Sequence, residues 1–340
     1  MAVEPILSTR PQQAFILTIV IQAIIVLVLI SVTFRLVGEN VDLTDNRYKT
    51  LPCYLALFIY AELFELFMAF DALRLRSVIQ LFGLAIFHLG MIVFAAIEVH
   101  ELKAALVKNP GLYSTVKPLV ITAPCVIAAS LISLGWWVYK LYWEFGWAVF
   151  RVVGANPYMK TMYRFYQILL CLLKFDFFAF TSVTMMLLII VLNTDSAEFG
   201  LTIAAIPVVI VLLVLCAIAV QREIRWIMVV SLILMLAAET YFVFKLVRYY
   251  SPSTSGQYLS TRATITTFTI IAFLLLLVSF GIGLRCLADF DKGLKEAKTT
   301  GQLQHFYAPL FRRGNSSTLG GSRESKHLAN EPLEERMSIE

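Results

Sequence analysis

The sequence predicts an all-α, polytopic transmembrane helix bundle of about eight spans, with seven as the alternative count. Two observations carry that prediction. The chain is 59% hydrophobic and only 15% charged, far from the composition of a soluble globular domain. Its apolar residues also gather into eight runs, at roughly 14–34, 52–72, 77–98, 119–140, 168–192, 200–220, 225–247 and 264–286. At 1.5 Å rise per residue, each is long enough to cross a hydrocarbon core about 30 Å thick. The membrane domain takes residues 1–287, and the polar stretch 288–340 reads as a disordered cytosolic tail.

The first run is flanked by a single basic residue, Arg10, and lacks a small-x-small cleavage site. It reads as a retained span rather than a signal peptide. Lys and Arg are roughly twice as abundant on the side of the N-terminus, the 73–76 turn, the 140–165 loop, the 221–225 turn and the tail as in the opposite loops, which puts both termini in the cytosol.

In the second span Glu62, Glu65, Ala69, Ala72 and Arg76 follow a helical stripe, which must face the bundle rather than lipid. Asp71 points elsewhere, lies one turn from Arg74 and is readily hydrated. The turn Leu73–Arg76 is short, so spans two and three form a tight antiparallel hairpin. The third span places His88 near its middle and ends in a solvated cluster of Glu98, His100 and Glu101, too scattered for a metal site. The fourth continues beyond the bilayer, with Trp136, Trp143, Trp147 and Phe150 on one stripe and Lys140, Glu144 and Arg151 beside it. That face suits headgroup depth, as an aromatic belt or as a surface for lipid or a partner.

Gly154-Ala-Asn-Pro157 breaks the helix, and the next one starts outside the bilayer. From Pro157 to Leu192 is about 54 Å of helix, longer than the core. Lys174 therefore sits at the cytosolic boundary, where its stem can snorkel, and Asp176 lies slightly deeper. Two residues apart on a helix, they point in different directions and do not pair. Spans six and seven form another tight hairpin at Gln221–Arg225, with Pro207 inside the sixth and Glu239 near the middle of the seventh. Ala238–Phe244 echoes Ala61–Phe67, a match too short to establish a repeat. In the tail, Tyr307-Ala-Pro-Leu310 fits a tyrosine-based sorting signal. The five cysteines sit in five spans with no disulfide or zinc spacing, as small hydrophobes.

Several segments together resemble one family. They are Tyr48-Lys-Thr-Leu-Pro-Cys53, Ala61-Glu-Leu-Phe-Glu-Leu66 leading to Asp71-Ala-Leu-Arg74, Glu144-Phe-Gly-Trp147, Gly154-Ala-Asn-Pro157, Met162-Tyr-Arg-Phe-Tyr-Gln167 and Leu173-Lys-Phe-Asp-Phe-Phe178. In this order and spacing, over roughly residues 45–290, the chain resembles the uncharacterised fungal family of multi-pass Golgi apparatus membrane proteins. The resemblance implies residence in Golgi membranes and supplies no biochemical activity.

No HExxH, GxSxG, P-loop or DxD-like constellation is present, so the chain reads as neither an enzyme nor a cofactor binder. The net charge of +5 follows from the positive side and implies no nucleic-acid partner. The expected partners are the lipid bilayer and other secretory-pathway membrane proteins. Two functions compete. The first is a non-enzymatic organising or trafficking component, in which intramembrane acids are hydrogen-bonding glue. The alternative is a proton- or ion-coupled secondary transporter. The candidate intramembrane residues are Glu62, Glu65, His88, Asp176 and Glu239. Trp143, Trp147 and Lys174 are the interfacial candidates, and Tyr307 and Leu310 the sorting candidates.

Overall fold

The eight apolar runs become eight helices in a computed structural model, which describes residues 7, 9–41, 50–153, 157–191, 197–251 and 262–292. They are α1 (Arg10–Asn40), α2 (Thr50–Leu75), α3 (Val78–Ala105), α4 (Pro110–Val153), α5 (Pro157–Val191), α6 (Ala197–Arg222), α7 (Arg225–Tyr249) and α8 (Arg262–Ala288). All eight are long and apolar enough to cross a membrane. Lipid decides which side chains face outward: Ile86, Ile132 and Ile233 are exposed, whereas Glu62, Glu65, His88, Ser231 and Ser279 are fully buried. With no water at depth, polar groups must find partners inside the bundle.

Two boundaries differ from the sequence expectation. Segment 110–118, taken as loop, is the start of α4, which opens on Pro110 after a single 3-10 turn at Leu106–Lys108. Proline suits a first helical turn, where its missing N–H has no acceptor to lose. Likewise α3 runs on to Ala105 and carries Glu98 inside the bundle. Glu98 is buried, not solvated, while His100 stays exposed. The long extension of α4 past its span, and of α5 before its own, is as the sequence predicts.

The helices form two rings of four. In the first, α1 packs on α2 and α4, and α3 packs on α2 and α4. In the second, α5 packs on α6 and α8, and α7 packs on α6 and α8. Each ring is tightest between its first and last helices, and each contains a sharp hairpin between its second and third. The hairpins share one backbone design. Arg76 (φ 47°) and Glu223 (φ 55°) take the left-handed conformation. The next amide reaches back five residues along the turn, Ser77 N–H to Ala72 O at 3.1 Å and Ile224 N–H to Ala219 O at 3.0 Å. This is the Schellman closure of a helix C-terminus. The chain is thus built as two like-oriented halves, α1–α4 and α5–α8. The counterpart of α2 is α6, so the echo between Ala61–Phe67 and Ala238–Phe244 joins helices that do not correspond.

The halves meet through α5, which packs on α2 and α3. Phe175 and Phe178 of α5 enter an aromatic cluster with Tyr60, Phe64 and Phe87, where Tyr60 and Phe178 stack at 5.0 Å and Phe87 meets Phe178 edge-on at 4.9 Å. The approach requires glycine at position 83. A Cβ there would stand 2.9 Å from Phe175 Cε2 and 3.0 Å from Cys171 Sγ.

Candidate functional site

The α1–α4 ring closes around five polar side chains from four helices. Gln22 lies on the buried stripe of α1 with Phe15, Ile19 and Val26. Glu62 and Glu65 lie one turn apart on α2, His88 is on the buried face of α3, and Ser130 comes from α4. Glu62, Glu65 and His88 are all at 0% exposure. His88 Nδ1 is 2.5 Å from Glu65 Oε1. Its Nε2 is 2.9 Å from the Ile127 carbonyl and 3.0 Å from Ser130 Oγ. Ser130 Oγ also lies 2.7 Å from the Ile127 carbonyl and 3.0 Å from Gln22 Oε1, as donor. The Gln22 amide donates to Glu62 (3.1 and 3.2 Å) and, at 3.4 Å, to Glu65 Oε2. The bonds run Gln22–Glu65–His88–Ser130 and back to Gln22, with Glu62 attached.

Partners fix where protons sit. The Ile127 carbonyl can only accept, so His88 carries a hydrogen on Nε2. Nδ1 then either accepts from a protonated Glu65 or, as part of an imidazolium, donates to its carboxylate. In both cases the 2.5 Å contact holds one proton between the two groups. Two carboxyls and one imidazole are neutral as a set with two protons bound. Loss of one leaves a net negative charge among apolar side chains, the arrangement that low-dielectric surroundings disfavour most. The site therefore favours keeping its shared proton, and its state is tied to the geometry of four helices.

Asp176 and Glu239 belong elsewhere, in the α5–α8 ring. Ser279 Oγ of α8 donates to Asp176 Oδ2 at 2.5 Å. Among the described residues, Asp176 Oδ1 and both carboxyl oxygens of Glu239 have no hydrogen-bond partner, although the residues are 5% and 7% exposed. Glu239 is near enough for its carboxyl to act on that of Asp176, and Cys216 of α6 reaches the same region. Glu239 and Asp176 thus lie in a different ring from Glu62, Glu65 and His88.

Lys174 pairs with Asp71 across α5 and α2, with both side chains largely covered. Asp71 is therefore a partner in the joint between halves rather than a hydrated neighbour of Arg74, and Lys174 reaches its counter-ion rather than snorkelling alone. Lys174 and Asp176 do not pair, as expected. Trp143 is exposed, packed edge-on against Tyr139 and Tyr142. The Trp147 side chain, Tyr307 and Leu310 lie outside the described residues.

Sequence reasoning missed Gln22, Ser130 and Ser279. Gln22 carried a signal, as the single amide in the run 14–34. The serines carried little, because a hydroxyl in a transmembrane helix commonly bonds its own preceding turn.

The chain is similar to a UPF0658 Golgi apparatus membrane protein of Schizosaccharomyces pombe, 29% identical over 322 residues, 85% of this chain and 91% of the relative. No family model and no solved structure matches.

Proposed function

Since this likeness supports membership of the uncharacterised fungal family of Golgi membrane proteins, we propose that the chain is a proton-linked carrier of the Golgi membrane with both termini in the cytosol. One observation carries the reading: the enclosed Glu65–His88 contact, flanked by Gln22 and Ser130 and by a second carboxyl, Glu62. A four-helix bundle needs no such set to be stable. Buried ionic groups are often replaced by apolar ones of similar volume without loss, or with a gain of roughly 1–4 kcal/mol. Five polar side chains from four helices, concentrated at mid-membrane, are the pattern expected of a proton or ion pathway.

The test is a ratiometric pH reporter in the Golgi of a fungal strain lacking the protein. Wild-type chain restores lumenal pH, whereas Glu62→Gln and His88→Asn fail while retaining Golgi localisation. Full rescue by both sinks the proposal. A non-enzymatic organising role is favoured by a separate feature, the exposed rings of Trp136, Tyr139 and Trp143 on the extension of α4. Its signature would be secretory-pathway neighbours in proximity labelling that are lost in Trp143→Ala.

A further inference from the structure

Asp176 and Glu239 of the α5–α8 ring leave hydrogen-bonding capacity unfilled, whereas the five polar side chains of the first ring's network do not. Asp176 receives one bond, from Ser279, and its other oxygen is open. Glu239, more than nine-tenths buried on α7, across the ring from α5, carries two further open oxygens. Buried polar atoms without partners are rare in native folds and call for a reason. The open set is three acceptors on two carboxyls, and the described residues offer no group of three ligating side chains for a metal ion. The complement to three acceptors with negative charge is a compact cation with three N–H donors.

We propose that Asp176, Glu239 and Ser279 form a binding site for the primary ammonium group of a small organic amine. Two of its N–H bonds go to Glu239 and one to Asp176 Oδ1, while Ser279 holds Asp176 in position through Oδ2. Charge-assisted bonds of this kind are about twice as strong as neutral ones. Donor number, rather than charge alone, selects the ligand: a quaternary ammonium brings the same charge and no N–H, and an alkali ion brings no directionality. The inference concerns binding at the second ring and does not require that the first ring move protons.

Equilibrium binding of radiolabelled methylammonium to the purified full chain in detergent tests this. Saturable binding is expected, with tetramethylammonium and potassium competing at least tenfold more weakly than unlabelled methylammonium. Asp176→Asn and Glu239→Gln should each weaken binding tenfold or more, Ser279→Ala less, and Glu62→Gln not at all. The wild-type competition needs no variant to fold. Equal competition by tetramethylammonium or potassium overturns the inference, as does the absence of saturable methylammonium binding. Unchanged binding in both acid variants overturns it too. Each of these leaves the proton-linked reading of the first ring standing, because that is read from Golgi pH.

Discussion

The two halves share a plan and differ in how they treat buried polar groups. In the α1–α4 ring Gln22, Glu62, Glu65, His88 and Ser130 satisfy one another. In the α5–α8 ring Asp176 has one partner and Glu239 has none among the described residues. Both rings tie their first helix to their last by a bond to serine, Gln22–Ser130 and Asp176–Ser279. The difference separates two uses of a buried carboxyl. A closed network specifies one packing and can hold a proton, whereas an open one is poised to receive something.

The sharpest way to break the comparison is to remove one group from each ring. His88→Ala strips Glu65 of its proton partner and leaves an uncompensated carboxyl at 0% exposure. A loss of about 3–5 kcal/mol is expected, as for one partner of a buried pair. Glu239→Leu removes two oxygens that bond to nothing described and should be neutral or stabilising. Reversible unfolding of the purified chain in mixed micelles measures both. Equal losses would mean that the rings do not differ as described.

Next comes the joint. Gly83→Ala puts a Cβ 2.9 Å from Phe175 and 3.0 Å from Cys171. Overpacking of this kind costs about 1–3 kcal/mol. Because α3 and α5 belong to different rings, the strain falls between halves. A lower unfolding midpoint accompanied by unchanged methylammonium binding would show that the second ring keeps its site when the joint is loosened.

Gln22→Ala sharpens the first ring alone. It removes the only described donor to Glu62, and interhelical hydrogen bonds in membranes are worth about 0.6 kcal/mol on average and up to about 1.7. An unfolding loss of about 1–2 kcal/mol is expected, since the amide also serves Glu65 and Ser130. Gln22→Glu should be worse, because it adds a third acid where a donor stood.

The fold was legible because lipid enforces a long apolar run for each crossing, and all eight runs became helices. The acidic stripe on α2 was legible for the same reason: Glu62 and Glu65, three residues apart, can hide only on one inward face. The division of the five candidates between two rings was not legible. Depth along a helix can be counted from its ends, but which helices adjoin depends on packing that periodicity does not encode, so nothing in the sequence separated Glu239 from His88. Asp71 was misread through its local neighbour Arg74, when its partner lay on α5, more than a hundred positions away in the chain. Helix ends were the other weak point, since Pro110 and Glu98 look like loop chemistry until the bundle gives them a place.

The smallest expected effect falls on the ion pair between Lys174 and Asp71. Its side chains retain 24% and 18% exposure, so the pair lies between a buried bridge and a surface one, and water or headgroups screen part of its attraction. A double-mutant cycle with Asp71→Asn and Lys174→Met should give a coupling of about 0.5–1 kcal/mol. The pair links α2 of one ring to α5 of the other, whereas the Gln22–Ser130 bond stays within a ring. If carrier function requires the rings to shift against each other, weakening this pair should change the rate of Golgi pH recovery more than it changes unfolding. Weakening Gln22–Ser130 should do the reverse. A coupling near zero, with recovery unchanged, would mean that the aromatic cluster and Gly83 hold the halves together without help from charge.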